Sequence, residues 1–390
     1  MSDYGEIEAE SIHSFDGDSA YAGSSSGSLT ETLSSSIARG IEENGRTYAA
    51  YGNEEYGLPI DEEELDRIDM SHAKYLMVLE KRLFLAPIGP QPQRVLDLGT
   101  GTGIWAVDMA DAYPSAEVLG LDIAPVQPHW VPSNCRFEID DIEQPWTFGE
   151  ETFDFIHARD LLLSIRDWPK LVKQCYEYGF FPQVEGYGLC MTVDIQNQAD
   201  TQSCSASTPN STAMTTPRHL TQVFSLSAGK PSTPRECTSP YAYPSLPFLT
   251  RKRLGAPLDA CIEYAAYMRK AGFEDVVEKR VKVPSSAWPK EKRLKLIGAF
   301  EMHNLVRGLS AMSLRMFSKA YGWSQEQVEL FLVQTRKDVQ NLRCKFLLDH
   351  ICVGFMLTRV RSHLLRFIIQ NSVIVYGRKP GTSAMDTQTA

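Results

Sequence analysis

The sequence lacks an excess of positive charge and lacks long apolar runs. Its 390 residues carry a formal net charge of −10, which argues against a main affinity for nucleic-acid phosphates or for an anionic membrane surface. No window approaches about 18 uncharged apolar residues, and no basic stretch followed by an apolar one opens the chain. We therefore expect no nucleic-acid partner, no membrane partner and a location in the cytoplasm or the nucleus.

The sequence also lacks a metal-binding or redox pattern of cysteines. Its eight cysteines are scattered, with no CxxC pair and no histidine at zinc-site spacing. We interpret them as reduced thiols and expect no metal site. Apolar residues make up 43% of the chain, which is enough for a sizeable core.

Composition divides the chain into five segments. Residues 1–43 are acidic and Ser-rich, and residues 196–253 are rich in Ser, Thr and Pro. Both compositions predict disorder, because they offer too little apolar surface to offset the entropy of ordering. Residues 44–195 are expected to form a helical segment and an α/β core, residues 254–380 the remaining helices and strands, and residues 381–390 a disordered tail.

Short apolar runs alternate with helical patterns in the middle of the chain. Strands and helices that alternate at this spacing predict a parallel sheet with helices on both faces, which is a three-layer α/β domain. The strand-like runs are RVLDLG, AEVLGLDI, CRFEIDDI, FDFIHAR and GYGLCMTVDI, followed much later by VVEKRVKVP and NSVIVYGRKP.

Capping patterns mark the starts of two helices. Asp61 precedes a helical pattern and Glu64 follows it by three positions, which is the arrangement of a capping box. Ser324 and Gln327 repeat this arrangement before a later helix. The expected buried faces are Leu65, Ile68, His72, Leu76, Leu79 and Leu83 in the first helix, and Val328, Phe331, Leu332, Thr335 and Val339 in the second.

The stretch VLDLGTGTGIW, residues 95–105, places three glycines between a strand and a helix. Gly99, Gly101 and Gly103 would let the backbone approach a ligand closely and adopt positive φ. Glycines at such a turn also serve plain strand-to-helix packing, so the loop alone does not decide the function. Its neighbours along the sheet provide the further evidence.

Two acidic residues end the strands that follow. Asp122 lies 19 residues after Gly103, where a carboxylate would accept the hydroxyl protons of a ribose. Asp141 ends the third strand, where it can accept from an adenine amino group while the Ile142 amide donates to the ring; Asp140 is the alternative contact. All lie at the carboxyl edge of one sheet, where open α/β sheets bind ligands.

Two cofactors that contain adenosine bind at sites with this general geometry, a nicotinamide dinucleotide and S-adenosylmethionine. A nicotinamide dinucleotide requires G-x-G-x-x-G/A and a pyrophosphate on the helix N-terminus. Here the third small residue comes one place too early, and Ile104 and Trp105 follow it. Asp97, two positions before the first glycine, would repel a pyrophosphate and suits a cationic aminoacyl-sulfonium. The residues therefore favour S-adenosylmethionine.

Several motifs in the same order carry a resemblance to a known family. The glycine-loop pattern hhDhGxGxG and the acidic ends of the second and third strands resemble the class I S-adenosylmethionine-dependent methyltransferases. The resemblance implies a Rossmann-like sheet, mostly parallel with an antiparallel last strand, and helical additions. Within that family the chain resembles the LaeA-like fungal branch. The segments that carry this narrower resemblance are ENGRTYAAYGNEEYGLPIDEEELDRIDMSH, FDFIHARDLLLSIRDWPKL, AGFEDVVEKRVKVP, WPKEKRLKLIG and VYGRKP.

The resemblance also implies a set of cofactor contacts. Two of them have alternatives: Arg159, together with Asp160, could cap the following helix, and Tyr48 could belong to the core. The implied contacts are Asp97, Gly99, Thr100, Gly101 and Gly103 under the methionine, Asp122 and Ile123 at the ribose, Asp141 and Ile142 at the adenine, Arg159 beside the donor sulfur, and Tyr48 closing over the cofactor.

The implied activity is methyl transfer to a small-molecule acceptor of the secondary-metabolite kind. Positioning can supply most of the rate because the sulfonium is an excellent leaving group, and a base is needed only if the acceptor must lose a proton. His129, His157 and His303 are conceivable bases and none is singled out, so the catalytic residues stay open. Candidates for the acceptor pocket are Tyr51, Tyr56, Trp168, Phe300, Leu305 and Met312.

Two segments depart from the family pattern, and they leave an alternative function open. Residues 196–253 and 344–370 are interpreted either as lineage-specific insertions or as intron sequence carried into the reading frame. Transcript sequencing across both junctions distinguishes these interpretations. The branch includes proteins thought to act in nuclear assemblies that govern secondary metabolism. The alternative is therefore a regulatory subunit with protein partners that binds S-adenosylmethionine with little or no turnover.

Overall fold

The computed structural model describes residues 35–52, 56–161, 164–179, 189–195, 256, 260–342 and 370–379. The predicted disorder at 1–34, 196–253 and 381–390, and nearly all of the departing segment 344–370, lie outside these residues. No helix within the described ranges combines the length and the apolar character needed to cross a membrane.

Regular structure begins earlier than the predicted boundary at residue 43. A short helix, α1 (Ser35–Arg39), precedes a hairpin of β1 (Ile41–Glu43) and β2 (Arg46–Tyr48). Asn44 and Gly45 connect the strands with φ of 52° and 69°, which both central residues of a type I′ turn require. The Asn-Gly pair is a strong hairpin signal, so this correction was available in the sequence.

One seven-stranded sheet forms the centre of the molecule. Its order is β5-β4-β3-β6-β7-β9-β8, and β9 is antiparallel to both of its neighbours while the pairs from β5 to β7 are parallel. This confirms the predicted sheet and its antiparallel last strand. The strands are β3 (Arg94–Leu98), β4 (Glu117–Asp122), β5 (Cys135–Ile139), β6 (Phe155–Arg159), β7 (Leu189–Ile195), β8 (Glu274–Val283) and β9 (Gln370–Arg378).

Helices cover both faces of the sheet and make three layers. Side chains alternate along β3, so that Val95 packs with Trp105 on one face while Leu96 packs with Trp168 on the other. The helices are α2 (Glu62–Val78), α3 (Ile104–Ala112), α4 (Trp168–Tyr178), α5 (Tyr264–Ala271) after a 3₁₀ turn at Ala260–Glu263, α6 (Lys292–Tyr321) and α7 (Gln325–Gln340).

Helix α2 buries polar residues beside part of the predicted apolar stripe. Asp61 caps the helix by accepting from the Glu64 amide, as predicted, but the Glu64 carboxylate binds Arg67 and does not close the box. The Lys74 ammonium lies 2.9 Å from the Glu301 carboxylate of α6, with exposures of 1% and 0%. The packing of α6 therefore adds polar residues to the buried face of α2. The predicted stripe was confirmed in part: His72 and Leu79 are buried, and Leu65, Ile68, Leu76 and Leu83 are half-buried.

Helix α6 has no counterpart among the predicted elements, although it is 30 residues long. It buries Glu301, Asn304 and Arg315, and these polar positions interrupt the apolar periodicity that marks a helix in a sequence. The next helix agrees with expectation. Ser324 and Gln327 form the predicted capping box at the start of α7. Its buried residues are Val328, Leu332, Thr335 and Val339.

Candidate active site

A cleft lies at the carboxyl ends of β3, β4, β5 and β6, where the strand order reverses. Such a switch point is the usual ligand site of an open α/β sheet. The empty space of the cleft is about 1100 Å³, including space open to solvent. We call the strand ends and their loops the sheet wall. The facing residues form the helical wall, which comprises Gly52, Tyr56, Leu58, Arg67, Ile68 and Ser71.

Most of the predicted cofactor residues come together in this cleft. Gly103 and Tyr48 are the two predicted residues that do not line it. The residues of the predicted set that line the cleft are Asp97, Gly99, Thr100, Gly101, Asp122, Ile123, Asp141, Ile142 and Arg159.

The three glycines serve different purposes. All have positive φ, at 62°, 58° and 81° for Gly99, Gly101 and Gly103, which disfavours any residue with a Cβ. A Cβ on Gly99 would overlap Leu161, and one on Gly103 would overlap Phe137. Around Gly101 a Cβ would meet nothing closer than Ile68 at 3.7 Å. Gly103 is therefore required by packing within the chain, and its contact with the cofactor stays a prediction.

Asp97 is buried at the base of the cleft and accepts two hydrogen bonds. Thr100 Oγ1 donates to it over 2.6 Å and His157 Nδ1 over 2.7 Å. Burial lowers the pKa of His157, so the ring is neutral, and the network assigns its proton to Nδ1 because an ionised carboxylate only accepts. The ring also stacks on Trp105 at 3.7 Å. The site thus holds a fixed negative charge beside the glycine loop.

Asp122 fixes the glycine loop and keeps capacity for a ligand. Its Oδ2 accepts from the Gly101 amide over 2.7 Å and its Oδ1 from the Ala124 amide over 3.0 Å. Burial and the charge of Asp97 raise its pKa to about 6. The Ile123 amide also hydrogen-bonds to this carboxylate, so of its about four acceptor positions about one is left for a ribose hydroxyl.

Both aspartates at the end of β5 reach the cleft. Asp140 Oδ1 accepts from the Asp141 amide over 2.8 Å, and burial raises the pKa of Asp140. Asp141 Oδ1 accepts from the Glu143 amide over 3.0 Å. Ile142 is 7% exposed and lies beside them. The two aspartates stay alternative contacts for an adenine amino group.

The contacts of Arg159 and Tyr48 bear on the two alternatives that the sequence left open, and the place of Arg159 beside the donor sulfur stays a prediction. Arg159 Nη2 donates to His72 Nδ1 over 3.0 Å, and its guanidinium lies 4.8 Å from the centre of the Tyr75 ring. It does not cap the next helix, since Asp167 caps α4. Tyr48 is fully buried with the Arg315 guanidinium 4.0 Å from its ring centre. It therefore belongs to the core.

Among the candidate bases, only His157 lines the cleft; His129 and His303 are exposed elsewhere. Of the predicted acceptor-pocket residues only Tyr56 lines it, and Trp168, for example, is buried in the core beneath the sheet. Within the described residues, no group of three or more histidine, cysteine or acidic side chains is arranged to hold a metal ion.

The sequence did not reveal the polar residues of the helical wall. Arg67 donates to both Glu64 oxygens over 2.8 and 2.7 Å and to Asn304 Oδ1 over 2.6 Å. Its partner Asn304 is 237 residues away in the chain. The available signal was polar residues on one helical face of α2, where Glu64, Arg67, Ser71 and Lys74 recur at intervals of three and four.

The residues present fit S-adenosylmethionine. A buried carboxylate, Asp97, lies beside a glycine turn that is open at Gly101, which suits a cationic amino acid moiety. Asp122 retains an acceptor position for a ribose hydroxyl. The carboxylates at three strand ends would repel a pyrophosphate, so the electrostatics disfavour a dinucleotide.

Comparison with known proteins agrees with this fit. The family profile described as a methyltransferase domain matches residues 70–221. Methyltransferase pytC of Aspergillus terreus is 32% identical over 327 residues, covering 83% of this chain and 89% of the relative. Secondary metabolism regulator LAE1 of Cochliobolus heterostrophus is 33% identical over 290 residues, covering 72% and 82%.

More distant similarities were also found. Protein-methionine methyltransferase laeA of Emericella nidulans is 29% identical over 306 residues, covering 77% of this chain and 72% of the relative. A solved phosphoethanolamine N-methyltransferase of Haemonchus contortus, bound to S-adenosyl-L-methionine, is 16% identical with a TM-score of 0.37, covering 79% and 53%. The family match and the sequence relatives show that the chain belongs to the class I S-adenosylmethionine-dependent methyltransferases, in their LaeA-like fungal branch, and that its cofactor is S-adenosylmethionine.

Proposed function

We propose that this chain transfers the methyl group of S-adenosylmethionine to a small-molecule acceptor of secondary metabolism. The observation that carries the proposal is a cleft in which Asp97, Gly101 and Asp122 face residues of α2 and of the segment before it. A cleft with a few convergent polar groups is the usual site of a small molecule. The similarity to Methyltransferase pytC supports an enzyme, and the absence of nucleic-acid and membrane partners stays a prediction.

Each part of the sheet wall has a proposed role in binding. Asp97 would hold the ammonium of the methionine moiety, Asp122 and Ile123 the ribose, and Ile142 with Asp140 or Asp141 the adenine. The bound cofactor supplies a methyl group on a positively charged sulfur. The residues of this chain orient that group and exclude water, and holding an acceptor at near-attack distance can provide about 7–11 kcal/mol of the barrier.

Calorimetric titration with S-adenosylmethionine tests the binding site. Asp122→Ala removes a hydrogen bond to a charged acceptor, worth about 1.5–3 kcal/mol, so we expect the affinity to fall about 10- to 100-fold. Asp111→Ala is the matched control, because Asp111 is exposed on α3 and does not line the cleft. Absence of binding to the wild type, or equal binding to Asp122→Ala, would contradict the proposal.

A second candidate function follows from the relative named as a secondary metabolism regulator, which is 33% identical to this chain. In that case the chain is a regulatory subunit that binds S-adenosylmethionine, turns it over slowly or not at all, and has protein partners. A location in the nucleus would favour this function and one in the cytoplasm the enzyme, and the location stays a prediction.

Release of S-adenosylhomocysteine distinguishes the two functions. The full chain is incubated with S-adenosylmethionine and a small-molecule fraction of a fungal extract, and the product is measured by mass spectrometry. Steady release that Asp122→Ala abolishes is expected for the enzyme. A second incubation uses the protein fraction of the same extract. For the regulator we expect tight binding of S-adenosylmethionine but no release of S-adenosylhomocysteine with either fraction.

A further inference from the structure

The turn that follows β6 has an unusual backbone. Asp160 comes directly after the strand and adopts φ of +57°, a left-handed conformation that is uncommon for residues other than glycine, although aspartate tolerates it. Backbone strain of this kind concentrates at functional sites. Asp160 lines the cleft, is exposed there, and has no role among the cofactor contacts described above.

Two hydroxyl groups of α2 hold the Asp160 carboxylate. The Tyr75 hydroxyl donates to Oδ1 over 2.5 Å, and Ser71 Oγ donates to Oδ2 over 3.4 Å. Tyr75 is 1% exposed and Ser71 is 4% exposed, so both donors are fixed by packing. A carboxylate has about four acceptor positions, and one on each oxygen is left for a molecule in the cleft.

The sheet order places Asp160 away from the nucleoside end of the cleft. Asp122 ends β4 and Asp140 follows β5, both on one side of β3, whereas Asp160 follows β6 on the other side. A nucleoside held at β4 and β5 directs its methionine and sulfur toward β3 and β6. The carboxylate therefore lies on the side of the cleft where methyl transfer takes place, if the proposed function is correct.

We propose that Asp160 is the general base of the reaction and that the acceptor atom is the oxygen of a hydroxyl group. The acceptor oxygen attacks the methyl carbon, the C–O bond forms as the C–S bond breaks, and the bonding electron pair stays on sulfur. The hydroxyl proton passes to the Asp160 carboxylate and from there to water. The products are a methyl ether and S-adenosylhomocysteine, and no further reactant is needed.

The residues beside Asp160 suit a hydroxyl acceptor. Arg159 directly precedes Asp160 and lines the same cleft, so its guanidinium stabilises the negative charge that develops on a hydroxyl oxygen. A thioether, such as the methionine named for the Emericella nidulans relative, carries no proton and has no use for a base.

The matched variants are Asp160→Asn and Asp66→Asn. Asparagine tolerates the left-handed backbone and still accepts one hydrogen bond, but it cannot take a proton. Asp66 lies on the same helix as Ser71 and Tyr75, points to Arg307 at 3.7 Å, and is mostly exposed outside the cleft. Calorimetry with S-adenosylmethionine is run on both variants beside the activity assays.

The probes are a series of para-substituted phenols, from para-methoxyphenol to para-nitrophenol, and N-acetylmethionine amide as a thioether. We expect wild type and Asp66→Asn to methylate phenols, and Asp160→Asn to lose about 100-fold or more in kcat with unchanged affinity for S-adenosylmethionine. The loss should shrink toward para-nitrophenol, which is already ionised in mildly alkaline buffer and needs no base. A purely structural role would give the same loss for every phenol.

Three results would overturn the inference. They are an equal loss across the phenol series, a loss of cofactor affinity in Asp160→Asn as large as in Asp122→Ala, or no methylation of any phenol by a wild type that binds S-adenosylmethionine. The first makes Asp160 structural, the second makes it a cofactor ligand, and the third contradicts a hydroxyl acceptor. Failure of the wild type to bind S-adenosylmethionine would overturn the proposed function itself, and calorimetry reports that separately.

Discussion

The two walls of the cleft are built in different ways. In the sheet wall, Asp122 binds the amides of Gly101 and Ala124, which are 21 and 2 residues away. In the helical wall, Arg67 binds Asn304 across 237 residues, and further along α2, outside the cleft, Lys74 binds Glu301 across 227. The sheet wall is therefore specified mainly within its strand-loop-helix units, with the bond between Asp97 and His157 across 60 residues as its longest contact described above. The helical wall depends on side chains from distant parts of the chain.

The largest expected effect is a loss of stability on breaking the buried ion pair between α2 and α6. Lys74→Met removes the ammonium that lies 2.9 Å from the fully buried Glu301 carboxylate, and breaking a buried pair in this way costs about 3–5 kcal/mol of the free energy of unfolding. Urea unfolding of the variant measures it. The double variant Lys74→Met/Glu301→Leu should recover most of the loss, because no buried charge is left unpaired. A single variant as stable as the wild type would contradict the role of this pair.

The glycine loop offers a comparison within the sheet wall. Gly103→Ala combines a positive φ with an overlap on Phe137, and we expect a loss of about 2–3 kcal/mol in stability. Gly101→Ala meets only the cost of positive φ, about 1–2 kcal/mol, but its Cβ projects into the space beside the ligand. We therefore expect Gly101→Ala to lose more cofactor affinity, relative to its loss of stability, than Gly103→Ala does. Unfolding measures the stability and calorimetry the affinity. The reverse ranking would contradict the assignment of Gly103 to packing and of Gly101 to the ligand space.

The pH dependence of cofactor binding reports on Asp122. Its pKa is raised to about 6, and both the ribose hydroxyls and the cationic sulfonium favour the ionised form. Affinity for S-adenosylmethionine should therefore be constant above about pH 7 and fall about tenfold by pH 5 as the carboxylate is protonated. Asp122→Asn should remove this dependence. An unchanged pH profile in that variant would show that another group is responsible.

The smallest expected effect concerns the helical additions. Ser324→Ala removes the side-chain cap of α7, which costs about 1 kcal/mol. Because α7 contributes no residue that lines the cleft, the cofactor affinity of the folded variant should equal that of the wild type. Thermal unfolding measures the loss of stability and calorimetry the cofactor affinity. A change in affinity would show that α7 is coupled to the sheet wall.

The same difference between the walls explains what the sequence could predict. The strands, the glycine loop and the box at Ser324 follow from local patterns of apolar, glycine and capping residues, and these were confirmed. The antiparallel last strand came from the family resemblance. The Asn44–Gly45 hairpin was also local, and it was overlooked because the surrounding acidic composition favoured disorder.

The remaining errors come from long-range packing. The polar part of the buried face of α2 was missed, because Glu64 is compensated by Arg67, and Lys74 by Glu301 of a helix far along the chain. Tyr48 was assigned to the cofactor, but Arg315 covers its ring from α6. No local pattern contains such partners, so the helical wall required the structure.

A crystal structure of the complex with S-adenosylhomocysteine tests the central claim most directly. We predict that a ribose hydroxyl lies within hydrogen-bond distance of the Asp122 carboxylate, with the adenine at the end of β5 and the sulfur on the side of β3 and β6. A nucleoside bound elsewhere, or one in the cleft that makes no contact with Asp122, would contradict the account.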